Sequence, residues 1–295
     1  MRVEECITAN TVITPASEDD SPWSAIVMDQ DIKDRIRNQA LLAIRMRPIM
    51  AFAASALHGQ IVLYGPPGTG KTTLARGLAN QLAPLVAQKA VRRIEVNPHG
   101  LMSAEHGKSQ QQVQELLADY LPSLADDGMP TIVVLDEVES MVVARSQASL
   151  AANPADVHRA TDAVLTALDE NGRKNPHILF VATSNFTTGL DEAFMSRSDA
   201  AILVPAPSAG ALKEILAHTL TELGRFHAPL VKLAADPALG RVAEQLAGLD
   251  GRQARKFVFE SLSQRLATVI DPGELTLADL MATANLTGST TAKVA

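Results

Sequence analysis

The segment with the clearest chemical signature in this sequence is Gly65–Thr72, which reads GPPGTGKT. It follows the apolar run Ile61–Tyr64 and precedes a leucine-rich helical pattern. The spacing G-x-x-x-x-G-K-[ST] between a strand and a helix is typical of a loop whose backbone N–H groups cradle a triphosphate. We expect Lys71 to reach the β- and γ-phosphate oxygens and Thr72 to offer its hydroxyl to Mg²⁺. The residues predicted to bind nucleotide in this loop are Gly65, Pro66, Pro67, Gly68, Thr69, Gly70, Lys71, Thr72 and Thr73.

Two acids supply the second half of the predicted nucleotide site. The β-branched run Thr131–Leu135 reads as a strand buried on both faces, and Asp136 and Glu137 follow it directly. Asp136 is predicted to hold Mg²⁺, and Glu137 to polarise a water for attack on the γ-phosphate. The alternative is two acids that end a strand at a solvated edge. The phosphate loop upstream favours the catalytic interpretation.

Three further polar residues could act on the same phosphate. Asn185 follows the next predicted strand and could hydrogen-bond the attacking water or the γ-phosphate, although Asn also favours turns. Arg197 and Arg252 could stabilise the departing phosphoryl group, although surface arginines are usually solvated. Arg255 and Lys256 are rivals of Arg252 on the same predicted helix.

The elements that position these residues alternate along the first two thirds of the chain. Predicted strands cover residues 60–64, 92–96, 131–135, 177–183 and 200–204, with helical patterns between them. This alternation predicts an α/β fold with a parallel sheet. After residue 207 only helices are predicted. The expected organisation is a flexible arm or a loosely docked strand over 1–20, a large α/β domain over 21–206, a small helical domain over 207–285 and a tail over 286–295.

Composition narrows the functional class. The chain of 295 residues is 46% apolar and carries a net charge of −7, which argues against a general nucleic-acid binder. Its one cysteine, Cys6, excludes an internal disulfide and fits a cytoplasmic location. The longest apolar run, Ile49–Leu57, is shorter than the ~20 residues that span a bilayer. No secretory signal is predicted, and the histidines show no zinc-ligand spacing.

The order of these motifs resembles that of an AAA+ ATPase with a P-loop. The finer spelling is similar to the pachytene-checkpoint branch, whose members remodel HORMA-domain proteins. The segments that carry this resemblance are Val138–Ser140, Asp156–Arg159, Ala163–Thr166, Thr183–Asn185 and Asp191–Asp199.

The resemblance implies a sheet of order 5-1-4-3-2, a C-terminal helical lid and a homo-hexameric ring that binds ATP and Mg²⁺ between subunits. Arg197 would act as a finger on a neighbour's nucleotide, and Arg252 as a sensor in the lid. The backbone around Ile26 and Val27, which follow Trp23, would line the adenine pocket.

Two departures from the family pattern refine this expectation. About twenty residues precede Trp23, where eukaryotic members carry an adaptor-binding domain, so the chain looks like short bacterial relatives from cyclic-oligonucleotide antiphage (CBASS) systems. Those relatives act beside a HORMA protein and a CD-NTase-type nucleotidyltransferase. The segment matching the first pore loop has no aromatic residue, which leaves Leu101 or Met102 to grip a threaded peptide, unless Met102 only fills a packing gap.

Other functional classes stay open at this point. A DNA-handling AAA+ protein of the clamp-loader or transposition-helper type would respond to DNA. A chaperone of the rubisco-activase type would share the core but act on another client. A non-hydrolysing scaffold is disfavoured because Lys71 and Glu137 are both present.

Overall fold

The computed structural model describes residues 3–15, 23–97, 108–142, 154–186 and 190–291. The chain divides into two compact units. The first comprises Met1–Gly65 and Lys71–Val204, and the second comprises Pro66–Gly70 and Pro205–Ala295. The change between units at residues 204 and 205 lies two residues before the boundary expected from the sequence.

The first unit is built on one six-stranded sheet. Its strands are β1 (Ile7–Ile13), β2 (Gln60–Tyr64), β3 (Val91–Val96), β4 (Thr131–Leu135), β5 (Ile178–Ser184) and β6 (Ala200–Leu203). The strand order is β1-β3-β4-β5-β2-β6, and all pairs except β1–β3 are parallel. The predicted order 5-1-4-3-2 is therefore confirmed for the five parallel strands, and an antiparallel edge strand is added.

Residues 7–13 of the N-terminal segment form this edge strand, which is the second of the two forms expected for that segment. Ile13 pairs with Val91 at one end of β1, and Ile7 pairs with Val96 at the other. A 3₁₀ turn, Val3–Cys6, precedes the strand, and both Val3 and Cys6 are buried in the core. Pairing with β3 satisfies backbone groups that a free arm would leave to water, and it covers the edge of the sheet.

Helices cover both faces of the sheet, so β4 and β5 are buried along their whole length. The helices of the first unit are α1 (Gln30–Met46), α2 (Phe52–Ser55), α3 (Lys71–Leu82), α4 (Lys108–Gln114), α5 (Leu121–Leu124), α6 (Pro154–Lys174) and α7 (Glu192–Ser196). A π-helical segment, Glu115–Tyr120, joins α4 to α5. One aliphatic cluster lies under α1 and α3, and another lies under α6.

Among the described residues of the second unit, the regular secondary structure is entirely helical. Its helices are α8 (Ala209–Gly224), α9 (Pro229–Ala234), α10 (Leu239–Gln245), α11 (Gly251–Ser263), α12 (Leu266–Ile270) and α13 (Leu277–Thr291). Ser208 and Asp250 cap the N-termini of α8 and α11. Helix α13 continues through most of the expected tail over 286–295. A search of the described helices finds none with the length and apolar character needed to cross a bilayer.

A buried arginine, Arg47, holds the corner of the first unit that is formed by the segment between α1 and β2. Arg47 is 6% exposed, and its guanidinium donates hydrogen bonds to four backbone carbonyls. The acceptors are Ile178, Asn171, Gly172 and Asn175. Asp199 closes the other side by accepting from the backbone N–H groups of His58, Gly59 and Gln60. Burial lowers the pKa of Arg47 to about 10, and the charge of Asp199 opposes this shift.

Gly59 offers a test of this corner. Its φ is +74°, and a Cβ atom there would lie 2.0 Å from Nη1 of Arg47. Gly128 has nearly the same φ, +73°, with nothing within 4 Å of an added Cβ. We expect Gly128→Ala to lower the free energy of unfolding by about 1 kcal/mol through backbone strain alone. We expect Gly59→Ala to lower it by about 3 kcal/mol or more, because the guanidinium must also give up hydrogen bonds to carbonyls.

The measurement is chemical denaturation of both variants beside the wild type. Since the two glycines share a backbone conformation, the difference between the variants reports the displacement of Arg47. Equal losses in the two variants would contradict a tightly held guanidinium.

Candidate functional site

The phosphate loop has the backbone shape that its glycines permit. Gly65, Gly68 and Gly70 all have positive φ, at +147°, +74° and +94°. Lys71 opens α3, is 5% exposed, and donates from Nζ to the carbonyl of Gly65 at 2.9 Å. A side chain at Gly65 would also clash, since an added Cβ would lie 2.2 Å from the carbonyl oxygen of Val204.

The ammonium group of Lys71 lies in an acidic environment. Burial lowers its pKa, and three carboxylates oppose that shift. In decreasing order of effect they belong to Glu139, Asp136 and Glu137. A phosphate anion bound at Lys71 would act in the same direction as these carboxylates and favour the protonated lysine.

Thr72 and Asp136 form the predicted metal site. Oγ1 of Thr72 donates to Oδ1 of Asp136 at 2.7 Å, which brings a hydroxyl and a carboxylate together. These are the hard oxygen donors that Mg²⁺ prefers, and Mg²⁺ at phosphate sites commonly takes only one or two ligands from protein. Within the described residues no group of three or more His, Cys, Asp or Glu has a metal-binding arrangement. The residues present therefore fit an ion that takes its other ligands from phosphate and water.

Thr183 fixes both catalytic acids, and sequence reasoning missed this role. Its hydroxyl donates to Oδ1 of Asp136 at 2.5 Å and accepts from the backbone N–H of Glu137 at 3.1 Å. The second bond holds Glu137 in a left-handed conformation, with φ of +53°. The available signal was a threonine two residues before Asn185, on the strand predicted to lie beside β4.

Asn185, predicted to contact the attacking water or the γ-phosphate, lies beside Glu137. Its Nδ2 lies 3.4 Å from Oε1 of Glu137, and its backbone N–H donates to Oε1 of Glu139 at 3.1 Å. Strand β5 lies between β2 and β4, so Asn185 leaves the sheet beside the acids. The first unit thus brings Thr72, Asp136, Glu137 and Asn185 into one cluster.

A cavity of about 460 Å³ opens beside this cluster. Asp136 and Glu137 line it together with Arg76 of α3 and Asn97 at the end of β3. Thr8 of β1 lines it as well. The N-terminal strand therefore bounds one approach to the catalytic acids.

Arg197 forms a separate ion pair with Asp169. Its Nε and Nη2 donate to the two carboxylate oxygens of Asp169, at 2.8 and 2.9 Å, and its Nη1 donates to the carbonyl of Ala193 at 2.8 Å. Nε2 of His58 lies 3.6 Å from the same carboxylate. Sequence reasoning missed Asp169, which precedes Arg197 by 28 residues on another element.

Arg252 belongs to the second unit. It is the second residue of α11, and its backbone N–H donates to the side chain of Asp250 at 2.8 Å in a capping box completed by Gln253. The residue is exposed. Its role toward a phosphate stays a prediction.

The residues predicted to contact adenine, Ile26 and Val27, lie in the first unit close to Trp23. Ile26 and Trp23 are buried in the core against α3, and Ile26 donates from its backbone to the carbonyl of Trp23 at 3.3 Å. Val27 is half-buried beside them. Leu101 and Met102, predicted to grip a peptide, lie outside the described residues.

Comparisons with known proteins agree with this geometry. Residues 61–206 match the family described as "ATPase family associated with various cellular activities (AAA)". The chain is 45% identical over 258 residues to CD-NTase-associated protein 6 of Pseudomonas aeruginosa, covering 88% of this chain and 84% of that protein. It is 28% identical to a pachytene checkpoint protein 2 homolog of Danio rerio, covering 92% of this chain and 70% of that one.

Among solved structures, the HORMA:CdnC:Trip13 complex of E. coli MS115-1 contains a chain that superposes with a TM-score of 0.74. The match covers 97% of this chain and 96% of that one at 17% identity, which shows the fold. The family model and the close relative confirm the resemblance inferred from the motifs. The chain belongs to the AAA family of ATPases, in the branch that includes CD-NTase-associated protein 6 and the pachytene checkpoint protein 2 homologues.

Proposed function

We propose that this chain forms a homo-hexameric ring in the cytoplasm and uses ATP to remodel a HORMA-domain protein. Its task would be to switch off a bacterial cyclic-oligonucleotide antiphage signal. The observation that supports the ATPase part is the contact of Thr72 with Asp136, since it joins the residue after Lys71 to the first of the two acids within the first unit.

Hydrolysis would depend on a few side chains with separate tasks. Glu137 would orient a water for in-line attack, and Asn185, whose amide contacts Glu137, would hold that water or the γ-phosphate. Lys71 would stabilise charge on the phosphate oxygens. Mg²⁺ held by Thr72 and Asp136 would neutralise further charge on the phosphates.

The remaining residues complete the proposal. Arg252 would read the γ-phosphate, and the backbone at Ile26 and Val27 would contact adenine. Leu101 or Met102 would grip the client. Loss of the γ-phosphate would remove the contacts to Asn185 and Arg252, and the resulting motion would pull an extended segment of the client.

The choice of client is supported by the relatives. One is named for association with a CD-NTase, and one solved complex contains a HORMA protein, a CdnC protein and a Trip13 chain. We therefore propose a HORMA-domain protein as the client, alone or bound to its nucleotidyltransferase.

Glu137→Gln tests the assignment of the base. The amide keeps the shape of the side chain but cannot accept a proton, so kcat should fall by about 10²- to 10⁴-fold. Affinity for ATP should stay within about threefold, because binding depends on the loop and Lys71. Phosphate release and equilibrium nucleotide binding measure the two effects.

Glu170→Gln is the matched control, because Glu170 is a half-exposed acid of the same first unit that forms a surface ion pair with Lys174. It should hydrolyse ATP at the wild-type rate. Wild-type turnover by Glu137→Gln would show that another group acts as the base.

Arg197 can be tested as a finger that acts on a neighbouring subunit. Arg197→Ala and Lys71→Ala should each abolish most turnover when assembled alone. Mixed rings should recover part of it, because an intact Lys71 site can then face an intact Arg197. Inactive mixtures that nevertheless co-assemble, as shown by mass measurement, would contradict action between subunits.

The client is tested by ATPase assays with three additions. We expect the HORMA protein encoded beside this chain's gene to raise the rate severalfold, and double-stranded DNA and an unrelated folded protein to leave it unchanged. Stimulation by DNA alone would favour the DNA-handling alternative. Stimulation by neither, with basal turnover intact, would favour a different protein client.

A further inference from the structure

Glu139 is an acid near the site to which the hydrolysis mechanism gives no task. It lies in the 3₁₀ turn Val138–Ser140 that follows the two catalytic acids. Its Oε1 accepts a hydrogen bond from the backbone N–H of Asn185 at 3.1 Å. This bond joins the turn after β4 to the residue that follows β5.

The bond acts on the backbone that aims the amide of Asn185. Asn185 leaves the sheet directly after Ser184, whose hydroxyl accepts from the backbone N–H of Phe186 at 3.1 Å. The backbone around Asn185 is therefore held by Glu139 from one side and by Ser184 from the other. The contact of the Asn185 amide with Glu137 is long, at 3.4 Å, and therefore weak. The direction of the amide consequently depends on how the backbone of Asn185 is held.

The second carboxylate oxygen of Glu139 is buried. Oε2 is inaccessible to solvent and has no hydrogen-bond partner among the described residues. A carboxylate so placed is stabilised by a nearby positive charge, and Glu139 makes the largest of the carboxylate contributions at Lys71. Glu139 is thus bonded to Asn185, and its charge favours the protonated form of Lys71.

We propose that Glu139 is a positioning residue for ATP hydrolysis, which holds the backbone of Asn185 so that its amide faces Glu137 and the γ-phosphate. This inference rests on the proposed ATPase function. Glu139 acts through Asn185 and need not touch the nucleotide itself.

Two substitutions separate the hydrogen bond from the charge. Glu139→Gln keeps an oxygen that can accept from Asn185, whereas Glu139→Ala removes it. We expect kcat to fall about 10- to 100-fold in Glu139→Ala, as for loss of other outer-shell partners, and to recover most of that loss in Glu139→Gln. Glu170→Ala, a half-exposed acid of α6, controls for the loss of a surface carboxylate. Equal defects in the Gln and Ala variants would overturn the proposal.

A double-mutant cycle tests whether the effect passes through Asn185. In an Asn185→Ala background, Glu139→Ala should change kcat by less than about threefold, because no amide remains to be aimed. Independent multiplication of the two losses would overturn the proposal. Because this comparison is made within one background, it holds even if each single variant is somewhat destabilised.

Binding supplies a readout that does not require turnover. Misdirection of Asn185 should weaken a non-hydrolysable ATP analogue relative to ADP, whereas general damage to the site should weaken both alike. Affinities for the two nucleotides are measured on wild type and both Glu139 variants. Absence of turnover in the wild type would overturn the proposed ATPase function, while the ratio of the two affinities would still decide the role of Glu139.

Discussion

The hydroxyl of Thr183 is the group on which the rest of the site depends. It accepts a hydrogen bond from the peptide N–H of Glu137 and donates one to the carboxylate of Asp136, so one oxygen positions both acidic residues. Asp136 in turn holds the hydroxyl of Thr72, which belongs to the helix that follows the phosphate loop. A chain of short polar contacts thereby fixes the positions of α3, β4 and β5 relative to one another. Such a network is stiff because each hydrogen bond in it holds the partner of the next, and the bonds are partly buried.

Much of this arrangement could be predicted because it is written in local patterns. The run Thr131–Leu135 is β-branched or apolar at every position, which is typical of a strand covered on both faces, and its bounds agree with β4. The phosphate loop has a spacing that few other structures need, and Asp136 and Glu137 follow from the position where the strand ends. Asn185 was found because parallel strands bring their carboxyl ends to one edge. In each case a short stretch of sequence contains both the element and the functional group.

The parts that could not be predicted depend on contacts distant in sequence. Strand β1 mixes threonine, asparagine and isoleucine, and its stability comes from pairing with β3 about eighty residues later. Asp169 shows nothing in its own surroundings that marks it as the partner of Arg197. Thr183 resembles any other buried strand threonine until β4 is placed beside it.

Strand β1 also has a mechanical consequence. The backbone N–H of Asn97, the last described residue before the segment that contains Leu101 and Met102, donates to the carbonyl of Cys6 at 2.9 Å. Strand β3 itself is bonded along one side to β1 and along the other to β4. A force applied beyond Asn97 and along the axis of β3 would load both ladders in shear, so that many backbone bonds share it at once. Pairing with β1 thus places β3 inside the sheet, where hydrogen bonds on both sides would oppose a pull on Asn97.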